Sequence, residues 1–143
     1  MNREDYKYYK EIERLGLQIE CPYIIDEEFE LVAFRFTYNA EIDETDFIPQ
    51  ALKPNCPRRS YHDEISECND YGISLFDDYI KAREVYKNFA PIVKLKLGYK
   101  CLASSSVNNK DGMRTPTNNS GHFNLHELKD VRLELKFNHI EYL

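Results

Sequence analysis

FELVAFRFTY, residues 29–38, places Val32, Phe34, Phe36 and Tyr38 at every second position. That is the period at which side chains fall on one face of a strand. The segment is rich in strand-forming residues and predicts a central strand, with Arg35 on the face opposite the phenylalanines. The period then changes within GISLFDDYIKAREVYKNF, residues 72–89. Ile73, Leu75 and Phe76 suit a short strand, and Asp77 or Asp78 can cap a helix by accepting from the free amides of its first turn. Ala82, Val85, Tyr86 and Phe89 follow at the spacing of one buried helical stripe, and Pro91 is expected to stop the helix.

IVKLKLGYKCLA, residues 92–103, sets Leu95 and Leu97 against Lys94 and Lys96, which predicts a half-buried strand divided or bulged at Gly98. VRLELKF, residues 131–137, alternates in the same way and predicts the strand that closes the sheet. Residues 2–15 read as a polar surface helix, with Tyr8, Ile12 and Leu15 on one side and Gly16 just after. Asp111-Gly112 and Asn119-Ser120-Gly121 carry turn chemistry. Between Asn39 and Tyr71 no period holds, and Pro49, Pro54 and Pro57 interrupt any long element, though a short helix around His62 to Cys68 fits there. A connection of that length is commonly functional and could wrap around a pocket.

These elements imply an α+β fold: a single twisted, mostly antiparallel sheet of about five or six strands, with the 77–89 helix packed on it and an N-terminal helix at its flank. One domain spans residues 1–143, with 1–16 as the N-terminal helix and 29–143 as the sheet-containing core. There is no internal repeat and no linker. A chain of 143 residues buries enough surface for one core without a disulfide.

Charge narrows the partners. The 19 basic and 25 acidic side chains give a net charge of -6, which opposes phosphate backbones and anionic membranes. A nucleic-acid partner would need a local patch; Lys94, Lys96 and Lys100 beside Tyr99 are the candidates, and they read instead as the wet face of a strand. The start MNREDYKYYK lacks a secretory apolar region and no run approaches a membrane span, so the cytoplasm is the expected compartment. Cys21, Cys56, Cys68 and Cys101 are irregularly spaced without a CxxC pair, and reduced thiols are expected.

Cys56, His62, Cys68, His122 and His126 include metal-ligating types, but they lack the compact spacing of a zinc site and read as thiols and surface or packed histidines. No GxSxG elbow, protease Cys-His signature or phosphate-binding glycine loop is present. Of the carboxylate pairs, Asp43 with Asp46 could serve as acid and base, and Asp77 with Asp78 is better explained as capping.

An arginine on an early strand (Arg35 in LVAFRF), a serine on a strand that enters a helix (Ser74 in GISLF) and a polar residue near the last strands remain. In this order, over about residues 31–137, the chain resembles the ADP-ribosyltransferase-like fold, and it also looks like short proteins of bacterial defence and toxin operons. The resemblance implies NAD as donor, with Arg35 holding a phosphate or ribose and Ser74 orienting the nicotinamide ribose. Glu127 in NLHEL, preferred to Glu134 in RLELK, would be the carboxylate; neither stands in the family's usual final motif. A toxin or defence effector is the implied role, and loss of the carboxylate would leave a binding module. The alternative is a non-catalytic accessory or inhibitor that offers its acidic surface, with 11 tyrosines and no tryptophan, to a protein partner.

Overall fold

The strand predicted from FELVAFRFTY is β1, Glu30–Thr37, and it lies inside the sheet, as its apolar character on both faces requires. The computed structural model describes residues 2–23, 27–54, 61 and 63–143. Five further strands are β2 (Ile73–Phe76), β3 (Cys101–Asn108), β4 (Gly112–Arg114), β5 (His122–Glu127) and β6 (Asn138–Tyr142). They form one six-stranded sheet in the order β4-β5-β2-β1-β3-β6, with every pairing antiparallel. The α+β class expected from the sequence is the fold observed.

The sheet has an apolar layer on each side. On one face Ala33, Ile73, Leu75, Ala103, Val107, Phe123 and Leu125 pack with Phe47, Leu133 and Phe137 from the connections. On the other, Phe36, Phe76 and Leu102 meet α3 (Tyr79–Asn88), whose Ala82, Val85, Tyr86 and Phe89 form the anticipated stripe. Asp78 caps α3, accepting from the Lys81 amide at 2.9 Å. Arg35 lies on the face opposite Phe34 and Phe36, beside Phe47.

Strand pairing is uneven. β1 pairs with β3 at eight positions, but it meets β2 only at Phe34–Phe76. Beyond that pair the strands part, and the long connection after β1 enters the gap. A 3-10 turn at Glu44–Phe47, capped by Asp43, brings in Asp46, whose buried carboxylate accepts from the amides of Tyr38 and Asp43 at 2.8 and 3.1 Å. The same connection holds a second turn, Gln50–Leu52, and α2 (Glu64–Asn69), near the place foreseen for a short helix. Pro57 and His62 lie outside the described residues.

Four expectations are corrected. The N-terminal helix is shorter than residues 2–15: α1 is Tyr9–Glu13, because Tyr6 bridges to Leu128 in extended form and the Lys7 amide donates to the Glu127 carbonyl. Residues 92–103 are not one strand. Pro91 begins α4 (Pro91–Leu97), Gly98 ends it at φ 72°, and β3 starts at Cys101. Residues 131–137 hold a 3-10 turn, Leu133–Leu135, that drops Leu133 and Phe137 into the core, while β6 forms the sheet edge.

The fourth concerns thiols. Cys21 and Cys68 are joined in a disulfide, their Cα atoms 5.7 Å apart, within a cluster that includes Ile12, Tyr8, Leu17 and Tyr71. Packing of the N-terminal segment on α2 brings together two positions 47 residues apart, a proximity that spacing cannot reveal. Cys101 is free and buried, and Cys56 lies outside the described residues.

Candidate functional site

Where β1 and β2 part, the Ser74 carbonyl lacks the strand partner that continued pairing would have supplied. The Arg35 guanidinium takes that place. Its Nη1 donates to the Ser74 carbonyl at 2.8 Å, its Nε donates to the Asp46 carbonyl at 2.6 Å, and its plane lies 5.2 Å from the Phe47 ring centre. The side chain is 5 % exposed. Burial pushes its pKa down, against the fields of Tyr99, Tyr38, Asp46 and Glu127, which favour the charge. Arg35 thus forks between two elements that the backbone alone does not join.

The gap opens into a cavity of about 440 Å³, within the range of small-molecule sites. Arg35, Ser74, His122 and Lys53 line it with polar groups, and Phe36, Phe76, Phe89 and Tyr99 supply aromatic walls. Lys53 Nζ donates to the Tyr99 hydroxyl at 2.8 Å and lies over the Tyr99 and Tyr38 rings, which stack at 5.2 Å. The cavity combines two cations with flat apolar surfaces.

Ser74 Oγ lies 2.6 Å from His122 Nε2. The two are diagonal neighbours on one face, since Ser74 pairs with Asn124 and Phe76 with His122. A tight turn before β5 sets the histidine. Asn118 Oδ1 accepts from the amides of Ser120 and His122 at 2.9 and 3.0 Å, and Gly121 adopts φ 76°. The Gly121 carbonyl then accepts from the Asp77 amide, tying this turn to the start of α3. The imidazole packs edge-on against Phe76. Burial pushes the pKa of His122 down, the Arg35 charge lowers it further, and Asp70 opposes both. These effects favour the neutral ring, and in the tautomer protonated at Nδ1 its Nε2 accepts from the serine hydroxyl.

Arg35 and Ser74, predicted as site residues, thus line the same cavity. Glu127 lines a different one of about 530 Å³, with Lys7, Tyr8 and Glu134. It is 2 % exposed; Oε2 accepts from Lys7 Nζ at 2.8 Å, and Oε1 has no hydrogen-bond partner among the described residues. Burial pushes its carboxyl pKa up, opposed by Lys7 and Arg35. Charge fields link Arg35 and Glu127, but their side chains serve separate cavities.

The other candidate groups have structural partners. Asp43 and Asp46 hold the 3-10 turn, and Asp78 caps α3. Lys94 and Lys96 lie on α4, with Lys94 over the Tyr86 ring at 4.8 Å, so the expected strand stripe with Lys100 does not form. Among the described residues no three His, Cys, Asp or Glu side chains gather as metal ligands. Sequence reasoning considered His122 only as a metal ligand and did not single out Lys53. The serine partner of His122 depends on the β2–β5 register, which the sequence alone does not carry.

No protein-family model matches this chain, and neither a curated protein nor a solved structure does. Among the described residues, no helix is long and apolar enough to cross a membrane.

Proposed function

We propose that the protein binds a small ligand combining an anionic group with a flat apolar body, of the nucleotide class, in the cavity between β1, β2 and α3. The observation that carries this reading is the meeting of the buried Arg35 with the half-buried Lys53 and Ser74 and with aromatic walls around one 440 Å³ space. Lys53 and the Arg35 charge suit the anion, and Phe36, Phe89 and Tyr99 suit the flat body.

NAD, the donor implied by the chain order, has both parts. ADP-ribosyl transfer also needs a carboxylate at the nicotinamide ribose, and Glu127 lines the other cavity. The reading is therefore binding without transfer. Titration calorimetry with NAD, ADP-ribose and nicotinamide mononucleotide tests it. Saturable binding is expected for at least one, weakened about tenfold in Lys53→Met by loss of a charge-assisted contact. Absence of heat and of any melting shift with all three at millimolar concentration would overturn it.

A second reading, a module that docks on a protein partner, draws on α4, where Ile92 and Leu95 stand exposed, Leu95 at 83 %. Cross-linking in lysate should give a discrete adduct that Ile92→Glu with Leu95→Lys abolishes; an adduct indifferent to that change counts against the reading. The Cys21–Cys68 bond suits a setting that oxidises thiols more than it suits the expected cytoplasm. Alkylation of freshly lysed cells, followed by mass measurement, should show this pair protected, and full alkylation would restore the cytoplasmic reading.

A further inference from the structure

The Ser74–His122 pair can do more than line a binding cavity. A serine hydroxyl is a weak nucleophile until a neighbouring base takes its proton as it attacks. Such a base must be within about 2.6–3.2 Å, neutral at working pH, and open to space where a substrate can sit. His122 meets the first condition at 2.6 Å, and both residues line the cavity. Among the described residues, the charged groups whose fields reach the imidazole are Arg35 from β1 and Asp70 from the end of α2, and Ser74 and the Phe76 ring contact it directly. Positive charge for a developing oxyanion also stands beside the serine, since Arg35 donates to the carbonyl of Ser74 itself and lines the same space.

We propose that this cavity cleaves small carboxylic esters that carry an anionic group, with Ser74 as nucleophile and His122 as general base. The anionic group of the substrate rests on the binding reading above; the dyad chemistry does not. Oγ forms a bond to the ester carbonyl carbon while Nε2 of His122 takes the hydroxyl proton. The tetrahedral oxyanion collapses, the carbon–alkoxy bond breaks, and the leaving alkoxide takes the proton from Nε2. Water then attacks the acyl-serine, giving one proton to Nε2. Breaking the acyl–Oγ bond releases the carboxylic acid, and Ser74 recovers the proton from His122. No metal or redox partner enters the balance. The aromatic walls take the apolar part of the ester, and Lys53 faces its anion.

A fluorophosphonate probe and mono-4-nitrophenyl succinate test the proposal on the intact, disulfide-bonded chain. The probe should add one mass increment, located at Ser74 by peptide sequencing, and the ester should release nitrophenolate. Ser74→Ala should abolish both, and His122→Gln should slow both about 100-fold while leaving the melting curve cooperative. The ester rate in the unaltered chain should fall as pH is lowered through a pKa below 6.5. Failure of the probe to modify Ser74 of the unaltered chain overturns the proposal, whatever the variants do. If nucleotide binding is still found by calorimetry, the binding reading stands alone. Labelling at Ser74 without nucleotide binding would reverse that outcome.

Discussion

His126 provides a sharp test of the electrostatics beneath the fold. It lies near the end of β5, is 3 % exposed, and burial pushes its pKa from 6.5 down to about 4. The folded state therefore keeps it neutral where the unfolded chain takes up a proton. Its folded pKa is depressed, so stability is complete above about pH 6.5 and is lost as pH falls toward 4. A difference of about 2.5 units at 1.36 kcal/mol each makes the loss about 3 kcal/mol. His122 acts in the same direction. Glu127 acts in the opposite one, because its raised pKa lets the folded state gain a proton before the unfolded chain does. Comparison with His126→Gln removes both contributions, since the variant retains them. Urea unfolding can be followed by tyrosine emission, which 11 tyrosines and no tryptophan make clean. Between pH 7.5 and 4 the unaltered chain should lose about 3 kcal/mol more than the variant. Parallel curves would refute the assignment of a buried neutral imidazole.

Gly112→Ala should destabilise the fold by roughly 3 kcal/mol or more, because the new Cβ would lie 2.1 Å from the His126 carbonyl oxygen across the β4–β5 pair; an unchanged melting temperature would contradict that packing. Reduction of Cys21–Cys68 releases a crosslink spanning 47 residues, and chain entropy sets the loss at roughly 4 kcal/mol, read as a lower urea midpoint with dithiothreitol present. Arg35→Met leaves the Asp46 and Ser74 carbonyls without their donor, at a cost of roughly 3 kcal/mol measurable by the same unfolding assay. Arg35→Lys should recover only part of this, because an ammonium cannot reproduce the planar fork.

Much of the fold was legible where apolar residues recur with a regular period. β1 and the β2–α3 junction impose periods of two and of three to four on their apolar residues, and those periods stand in the sequence. α4 was misread for the converse reason. Ile92 and Leu95 face solvent, so no buried stripe marks the helix, and the lysine-leucine alternation imitates a strand. At 131–137 Leu133 and Phe137 do enter the core, but from a 3-10 turn and its end instead of a strand, while Leu135 stays exposed. The site divides in the same way. Arg35 and Ser74 were legible as a basic and a hydroxyl group in strands, whereas the partners of Arg35 are backbone carbonyls, which carry no sequence signal. His122 and the Cys21–Cys68 bond depend on register and tertiary proximity, and neither can be read along one dimension.

The single β1–β2 pairing explains why the cavity lies where it does. Had the strands continued together, Phe36 would face Ser74 across a closed ladder, leaving no opening there. Because they part, two carbonyls need a donor, and Arg35 supplies it from the strand that leaves the pairing. The same guanidinium that satisfies the split sheet brings positive charge to the wall of the cavity. Its structural and functional contributions therefore cannot be separated by replacing it, since Arg35→Met changes ligand affinity and unfolding together. Lys53 is different, because its contacts are with tyrosines at the cavity and not with the backbone across the split. A Lys53→Met variant that loses affinity while keeping its urea midpoint would locate recognition in the cavity itself; equal losses in both would place Lys53 with Arg35 among the supports of the fold.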